Sequence, residues 1–211
     1  MRPSAGVAKV PRTPPADLTY EPDDVIELAP QLWRIHRTAG AHVLAWDELR
    51  HYGPLPTMRY DPHPEPTLVH AEGVQYAATD LATALAGVFQ ASHTVDTISA
   101  RPQLTVWTPI RPLHLLNLTD LWAVRNGAAN SLAAAARSTG RAWARAIHTT
   151  RPDLDGLWTR STMTGRPTVV LWNPAADSFP PAPDFSRPLA DPTLHAIVER
   201  IAVDELHYQV L

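Results

Sequence analysis

The feature that most constrains the fold is the segment GVQYAATDLATALAGVF at residues 73–89, which predicts a buried strand leading directly into a capped helix. Val74, Tyr76 and the alanines that follow form the apolar run of the strand. Asp80 is a favourable N-cap, because its carboxylate can accept hydrogen bonds from the free backbone N–H groups of a first helical turn. Apolar residues then recur at helical spacing and predict a core-facing stripe, formed by Leu81, Leu85 and Val88.

Gly87 lies inside this predicted helix, where glycine is unfavourable. A glycine in a helix interior costs about 1 kcal/mol relative to alanine. Gly87 and Thr83 fall on the side opposite the apolar stripe, and nothing in the local sequence requires a glycine there. The sequence therefore marks position 87 as unusual.

The rest of the chain predicts short strands and two further helices, joined by proline-rich connections. Strands are predicted at 32–36, 104–108, 113–118, 157–158 and 168–172. Helices are predicted at 130–148 and 193–206, a helical turn at 46–52, a loop at 53–66 and a surface-wrapping segment at 179–192. This mixture predicts an α+β fold, with a mostly antiparallel β core surrounded by helices.

Composition favours one domain and excludes several classes of function. The chain has 211 residues, a net charge of -3 and no cysteine, which excludes disulfides and thiolate metal sites. That charge gives no overall attraction to nucleic acid or to an anionic membrane. Residues 1–24 are proline-rich and are expected to form a flexible tail before a single domain at 25–211. No apolar run approaches the roughly 20 residues of a membrane span, and no signal-peptide core is present, so a cytoplasmic protein is expected.

Four separated motifs resemble those of the RES domain family, named for its arginine, glutamate and serine residues, and stand in the family's order. They are LWRIHR at 32–37, PTMRYDP at 56–62, the strand–helix unit at 73–89 and DGLWTRSTMTGRPTVVLW at 155–172. The similarity covers about residues 32–183. It implies a fold akin to ADP-ribosyltransferases and an NAD-degrading toxin, a phosphorylase or glycohydrolase, of a bacterial toxin–antitoxin pair. NAD would be the substrate, with no prosthetic group, and water or inorganic phosphate would be the second reactant.

The resemblance also implies the site residues. Arg34 and Ser161 match the family's arginine and serine, and Gly87 stands where the family has its glutamate, in A-L-A-E-V-F. An arginine of the second motif would meet the pyrophosphate of NAD, and a tyrosine would flank the nicotinamide. The expected NAD-binding residues are Arg34, Arg59, Tyr60, Tyr76 and Ser161.

The residues by themselves leave structural interpretations open. Arg34 would then be a solvated strand residue, Tyr76 a core tyrosine and Ser161 a turn former, while Arg59 would pair locally with Asp61. Arg160 and Arg166 are either part of an anion site or plain surface charge. Three arginines of the helix predicted at 130–148 form a basic stripe, Arg137, Arg141 and Arg145. This stripe is either a solvated helix face or a surface that binds an acidic partner. The scattered histidines lack metal-ligand spacing, so no metal is expected.

The absence of the family's carboxylate at position 87 has three explanations. Gly87 is an engineered or selected change that disarms a toxic enzyme, or a natural loss that leaves a non-catalytic NAD or ADP-ribose-binding module. Alternatively, Glu72 or Asp80 takes over the role of the glutamate. A protein ADP-ribosyltransferase is a more distant alternative. The implied partner is a cognate antitoxin, a small DNA-binding protein, and the apolar C-terminal helix leaves a homodimer open.

Overall fold

A computed structural model of the protein describes residues 9–211, and one large sheet organises them. The strands of this sheet are β1 (Val25–Leu28), β2 (Leu32–Arg37), β3 (Arg50–Gly53), β4 (Leu68–Ala78), β6 (Pro102–Trp107), β7 (Leu113–Asn117), β8 (Gly156–Arg160), β9 (Pro167–Trp172) and β10 (Phe185–Pro188). A separate parallel pair is formed by β5 (Thr94–Val95) and β11 (Gln209–Val210). Within the described residues the main sheet thus has nine strands.

The sheet is mostly antiparallel, as the sequence predicts. Its order is β1-β7-β8-β9-β4-β2-β6-β10, with β3 paired to β4, and the pairing of β7 with β8 is parallel. The long strand β4 has β9 and β2 as neighbours and also carries β3. The α+β fold class is confirmed.

The helices are α1 (Leu81–Phe89), α2 (Trp122–Arg125), α3 (Arg137–Thr150) and α4 (Pro192–Arg200), the last continuing as a π-helical turn, Ile201–Glu205. Short 3₁₀ turns occupy Pro22–Asp24, Asn130–Ala134 and Asn173–Ser178. The single helix predicted at 130–148 is wrong: extended backbone at Ala135 and Ala136 separates a 3₁₀ turn from α3. In the part of the chain that the structure describes, no helix has the length and apolarity to cross a membrane.

The strand–helix unit at 73–89 is confirmed, although β4 begins earlier, at Leu68. The Asp80 carboxylate accepts a hydrogen bond from the backbone N–H of Thr83 at 2.8 Å, as expected of an N-cap. Leu81 and Leu85 are buried in the core, whereas the prediction that Val88 faces the core is wrong, since its side chain is exposed. The local pattern was therefore sufficient to place α1.

Two predictions for the connections are wrong. The segment at 46–52 contains strand β3 rather than only a helical turn, because its backbone pairs with β4. The segment at 179–192 contains β10, which pairs with β6 and forms one edge of the sheet. A proline within such a strand is tolerated at an edge, where its missing N–H breaks no ladder.

The sheet separates two apolar regions. Side chains on one face pack beneath α1, α3 and α4, with Trp122, Trp143 and Trp172 fully buried among them. The opposite face packs around Trp107 and Leu115. Because side chains alternate along a strand, neighbouring residues of β4 and β9 contribute to different faces.

Residues 9–24 lie against the domain. The indole Nε1 of Trp143 donates to the carbonyl of Pro11 at 2.9 Å, and that of Trp122 donates to Thr19 at 3.0 Å. Val10, Leu18 and Tyr20 pack against the cluster beneath α3. Residues 1–8 of the expected tail lie outside the described residues, and the flexibility of the tail and the boundary at 25 stay predictions.

Buried histidines are expected to make the protein sensitive to acid. Burial lowers the pKa of His36, His63 and His148 from the ordinary value of 6.5. His63 is fully buried, and neither of its ring nitrogens has a hydrogen-bond partner among residues 9–211. Below pH 6.5 the unfolded chain takes up protons at these histidines before the folded protein does, so the free energy of unfolding falls. Well above that pH both states are neutral there, and these groups add no pH dependence.

Urea unfolding at about pH 7.5 and about pH 5.5 measures this effect. We expect a lower midpoint at the acidic pH, and His63→Phe should reduce the difference between the two values. The matched control is His51→Gln, because the side chain of His51 is exposed. An equal pH dependence in both variants would contradict the assignment to His63.

Candidate functional site

Two of the four sequence motifs meet at the edge of the sheet where β4 and β8 end and β9 begins. Ala78 of β4 pairs with Thr168 of β9, which pairs with Thr159 of β8. The helix α1 follows β4 at this edge, and the turn that contains Ser161 joins β8 to β9. The two connections touch, because the hydroxyls of Thr83 and Thr164 hydrogen-bond at 2.9 Å. The fold thus places the helix of Gly87 against the turn of Ser161.

Ser161 organises its own turn. Its Oγ accepts hydrogen bonds from the backbone N–H groups of Met163 at 3.1 Å and Thr164 at 3.3 Å. This is the role that the residues alone suggested. A hydroxyl that accepts twice still has a proton to donate, so a contact between Ser161 and a ligand stays a prediction.

Gly87 is exposed on α1 and faces open space. A Cβ atom built at this position would meet no other atom within 4 Å. The side chain of Gln90 donates to the carbonyl of Gly87 at 2.7 Å and accepts from Arg137 Nη2 at 3.2 Å. Position 87 therefore lies beside the start of α3, and a larger side chain fits there without displacing a neighbour.

The geometry disfavours both carboxylates that were considered as replacements for the missing glutamate. Asp80 caps α1 and also pairs with Arg166, at 3.0 Å. Glu72 lies about 20 Å from Ala78 along the extended strand β4. It is therefore away from the edge of the sheet that carries α1. Arg166 is thereby assigned to an ion pair rather than to an anion site.

Arg59 lies against the start of α3. Its guanidinium donates to the carbonyl of Ala135, just before the helix. A Cβ at Gly140 would lie 2.8 Å from the Arg59 carbonyl oxygen, so the loop and the helix approach closely only because position 140 is glycine. Burial lowers the pKa of Arg59, and the charge of Arg137 lowers it further. Arg59 is therefore held beside the start of α3, where it feels the charge of Arg137.

The basic stripe on α3 holds the loop that carries Arg59. Arg141 Nη1 donates to three loop carbonyls, those of Leu55 at 3.3 Å, Pro56 at 3.1 Å and Met58 at 3.0 Å. Arg145 Nη1 lies 3.5 Å from the carbonyl of His63. The interpretation of the whole stripe as a solvated helix face is therefore wrong, since two of its arginines contact backbone.

A buried carboxylate organises the tyrosines of this region. Asp61 is fully buried and accepts from Arg50 at 2.6 Å, from the Tyr76 hydroxyl at 2.8 Å and from the backbone N–H of Leu55 at 2.8 Å. The predicted local pair between Arg59 and Asp61 is therefore wrong, because the ion-pair partner of Asp61 is Arg50 of β3. The sequence signal for this partner was weak, since β3 was not recognised as a strand.

The hydroxyl of Tyr76 is used inside the protein. It donates to Asp61 and accepts from the backbone N–H of Tyr60 at 3.0 Å. Burial, and next the charge of Asp61, raises the pKa of Tyr76 well above its ordinary value. Tyr60 is buried as well, with its hydroxyl 3.4 Å from Thr159. For Tyr76 only the half-buried ring is left to meet a ligand.

Arg34 lies on the other face of the sheet. Trp33 pairs with Ala78, so these side chains share the face of Tyr76, and Arg34 points to the opposite one. Its Nη1 donates to the carbonyls of Trp46 at 2.7 Å and Ala45 at 3.0 Å. Burial lowers the pKa of Arg34 to about 10, which leaves it a cation at neutral pH. The structure does not bring Arg34 together with Arg59, Tyr76 and Ser161.

The region offers no evident metal site. Across residues 9–211, no group of three or more His, Cys, Asp or Glu side chains is arranged to hold a metal ion. The chemistry available at the edge of the sheet comes from guanidinium, hydroxyl and aromatic groups. Such a set suits an anionic organic ligand.

Comparison with known proteins agrees with the motifs. A family model described as the RES domain matches residues 31–190. The structure resembles the crystal structure of the M. tuberculosis MbcT–MbcA toxin–antitoxin complex, with a TM-score of 0.56 and 18% sequence identity over 85% of this chain and 92% of that chain. At this identity the likeness shows the fold. A comparison with curated proteins gave no match.

Proposed function

The chain belongs to the RES domain family, and from this premise we propose that it is an NAD-directed toxin of a toxin–antitoxin pair whose catalysis is impaired at position 87. The observation that supports the proposal is that α1, which bears the exposed Gly87, touches the turn of Ser161 through Thr83 and the start of α3 through its C-cap Gln90, and that Arg59 is held beside that start of α3. The second candidate is a nucleotide-binding module of the same fold that does not turn over its ligand. The open space at Gly87 favours it, since no carboxylate side chain occupies that position.

The proposed reaction cleaves the bond between nicotinamide and ribose. Breaking this bond builds positive charge on the ribose, and a carboxylate beside the anomeric carbon would stabilise that charge and orient water or phosphate. The family's glutamate supplies such a group, whereas Gly87 supplies none. The reacting ribose of NAD would therefore lie next to Gly87.

Arg59 would bind the pyrophosphate of NAD. One arm of its guanidinium is held by the Ala135 carbonyl, and an arginine has further N–H donors in a fixed planar fork. Ser161 would donate to the ribose or a phosphate, and the ring of Tyr76 would flank the nicotinamide. For Arg34 the geometry favours a structural role, as it holds the turn at 45–46.

Binding of NAD to the unmodified protein tests this proposal. Isothermal titration calorimetry should detect binding, and Arg59→Gln should weaken it roughly 10- to 100-fold, the usual range for one charge-assisted hydrogen bond. The control is Arg200→Gln, which removes an equal charge from an exposed position in the last turn of α4. If the native protein fails to bind NAD, the proposed function is wrong.

An antitoxin would be the partner in the cytoplasm. The structural neighbour was crystallised as a toxin–antitoxin complex, and a small DNA-binding antitoxin covering the surface beside Gly87 is the corresponding proposal here. Co-expression with the product of the neighbouring gene should yield a complex that stays intact in size-exclusion chromatography. The same column run on the protein alone tests the homodimer.

A further inference from the structure

The surroundings of Gly87 carry uncompensated positive charge. Arg59 and Arg137 form no ion pair with any Asp or Glu among the described residues. The nearby carboxylates are already neutralised: Asp61 by Arg50 at 2.6 Å, and Asp80 by Arg166 at 3.0 Å. The side chain that links Gly87 to Arg137 is Gln90, which has no charge. The open space at position 87 is therefore linked through Gln90 to Arg137, a cation that no carboxylate of the described residues neutralises.

This positive charge disfavours binding of the nicotinamide end of NAD. The nicotinamide ring of NAD carries a positive charge, and in the proposed pose the ring leaves from the ribose beside Gly87. A carboxylate at this position would attract the ring, whereas Arg137 repels it. A ligand with the same nucleotide body and a neutral or anionic group at this ribose avoids the repulsion.

We propose that the surface beside Gly87 selects against a cationic group, so that the protein binds NADH and ADP-ribose more tightly than NAD. The proposal rests on the function proposed above and specifies the ligand class of the same site. NADH has almost the same shape as NAD but a neutral dihydronicotinamide ring. The pair therefore isolates the charge of the ring from the contacts of the rest of the molecule.

The experiment measures the dissociation constants of NAD, NADH and ADP-ribose under one set of conditions at low ionic strength. Two like charges several ångströms apart at a partly exposed site should favour NADH over NAD roughly 3- to 10-fold. The ratio should shrink as salt is added, because exposed charges are screened. The dissociation constant of ADP-ribose should be close to that of NADH rather than to that of NAD.

Charge variants decide whether the protein causes the preference. Arg137→Gln should lower the ratio of the two dissociation constants toward one, and Arg137→Glu should reverse it. Arg200→Gln, which removes an equal charge from an exposed residue of α4, should leave the ratio unchanged, which also accounts for any intrinsic difference between the two ligands. A ratio of one in the native protein, or a ratio insensitive to Arg137→Glu, overturns the inference while the proposed function stands. Failure of all three ligands to bind overturns the proposed function itself.

Discussion

Replacing Gly87 with glutamate is expected to raise the rate of nicotinamide release from NAD roughly 10²- to 10⁴-fold over the native protein. This is the usual contribution of a positioned acid–base group. The physical reason is that the carboxylate would stabilise the positive charge that develops on the ribose as the bond breaks. The side chain fits, because a Cβ at position 87 meets no atom within 4 Å. Growth arrest on expression should accompany the recovered activity.

The assay follows nicotinamide with and without inorganic phosphate. Faster release with phosphate would identify a phosphorylase, and equal rates would identify a glycohydrolase. The control is Gly87→Gln, which has the shape of the glutamate variant but no charge, and it should stay inactive. If Gly87→Glu binds NAD without releasing nicotinamide, the non-catalytic binding module is the better description of this chain.

Replacing Arg50 with methionine is expected to lower the free energy of unfolding by about 3–5 kcal/mol, the range for removing one partner of a buried ion pair. Asp61 is fully buried, and Arg50 is its cationic partner at 2.6 Å. Without Arg50 the carboxylate keeps hydrogen bonds from Tyr76 and Leu55 but loses its countercharge. The loop bearing Arg59 depends on Asp61 through Leu55, so NAD binding should weaken as well.

Chemical denaturation of single and double variants measures this effect. Adding Asp61→Asn to Arg50→Met removes the unpaired charge, so the double variant should be more stable than Arg50→Met alone. The matched control is Arg151→Met, whose partner Asp153 is 63% exposed, and it should change stability by about 1 kcal/mol or less. Equal losses of unfolding free energy in Arg50→Met and Arg151→Met would show that the buried ion pair has no special role in stability.

Local patterns in the sequence determined the elements whose evidence is short-range. The strand–helix unit at 73–89, with its Asp80 cap, follows from residues a few positions apart, and so does the strand predicted at 32–36. The mixture of these elements was enough to predict the fold class. The four motifs were enough to identify the family, because their order and residue types can be read without knowing any contact.

Only the tertiary structure decided how the candidate site is assembled. Arg141 meets the carbonyl of Leu55, 86 positions away in the chain, and Arg50 rather than Arg59 pairs with Asp61. Strand β3 forms because β4 lies beside it, so no periodicity within 46–52 could reveal it. The face of the sheet to which Arg34 points depends on the register between β2 and β4. These features require pairing between distant segments, and the residue types alone are compatible with several partners.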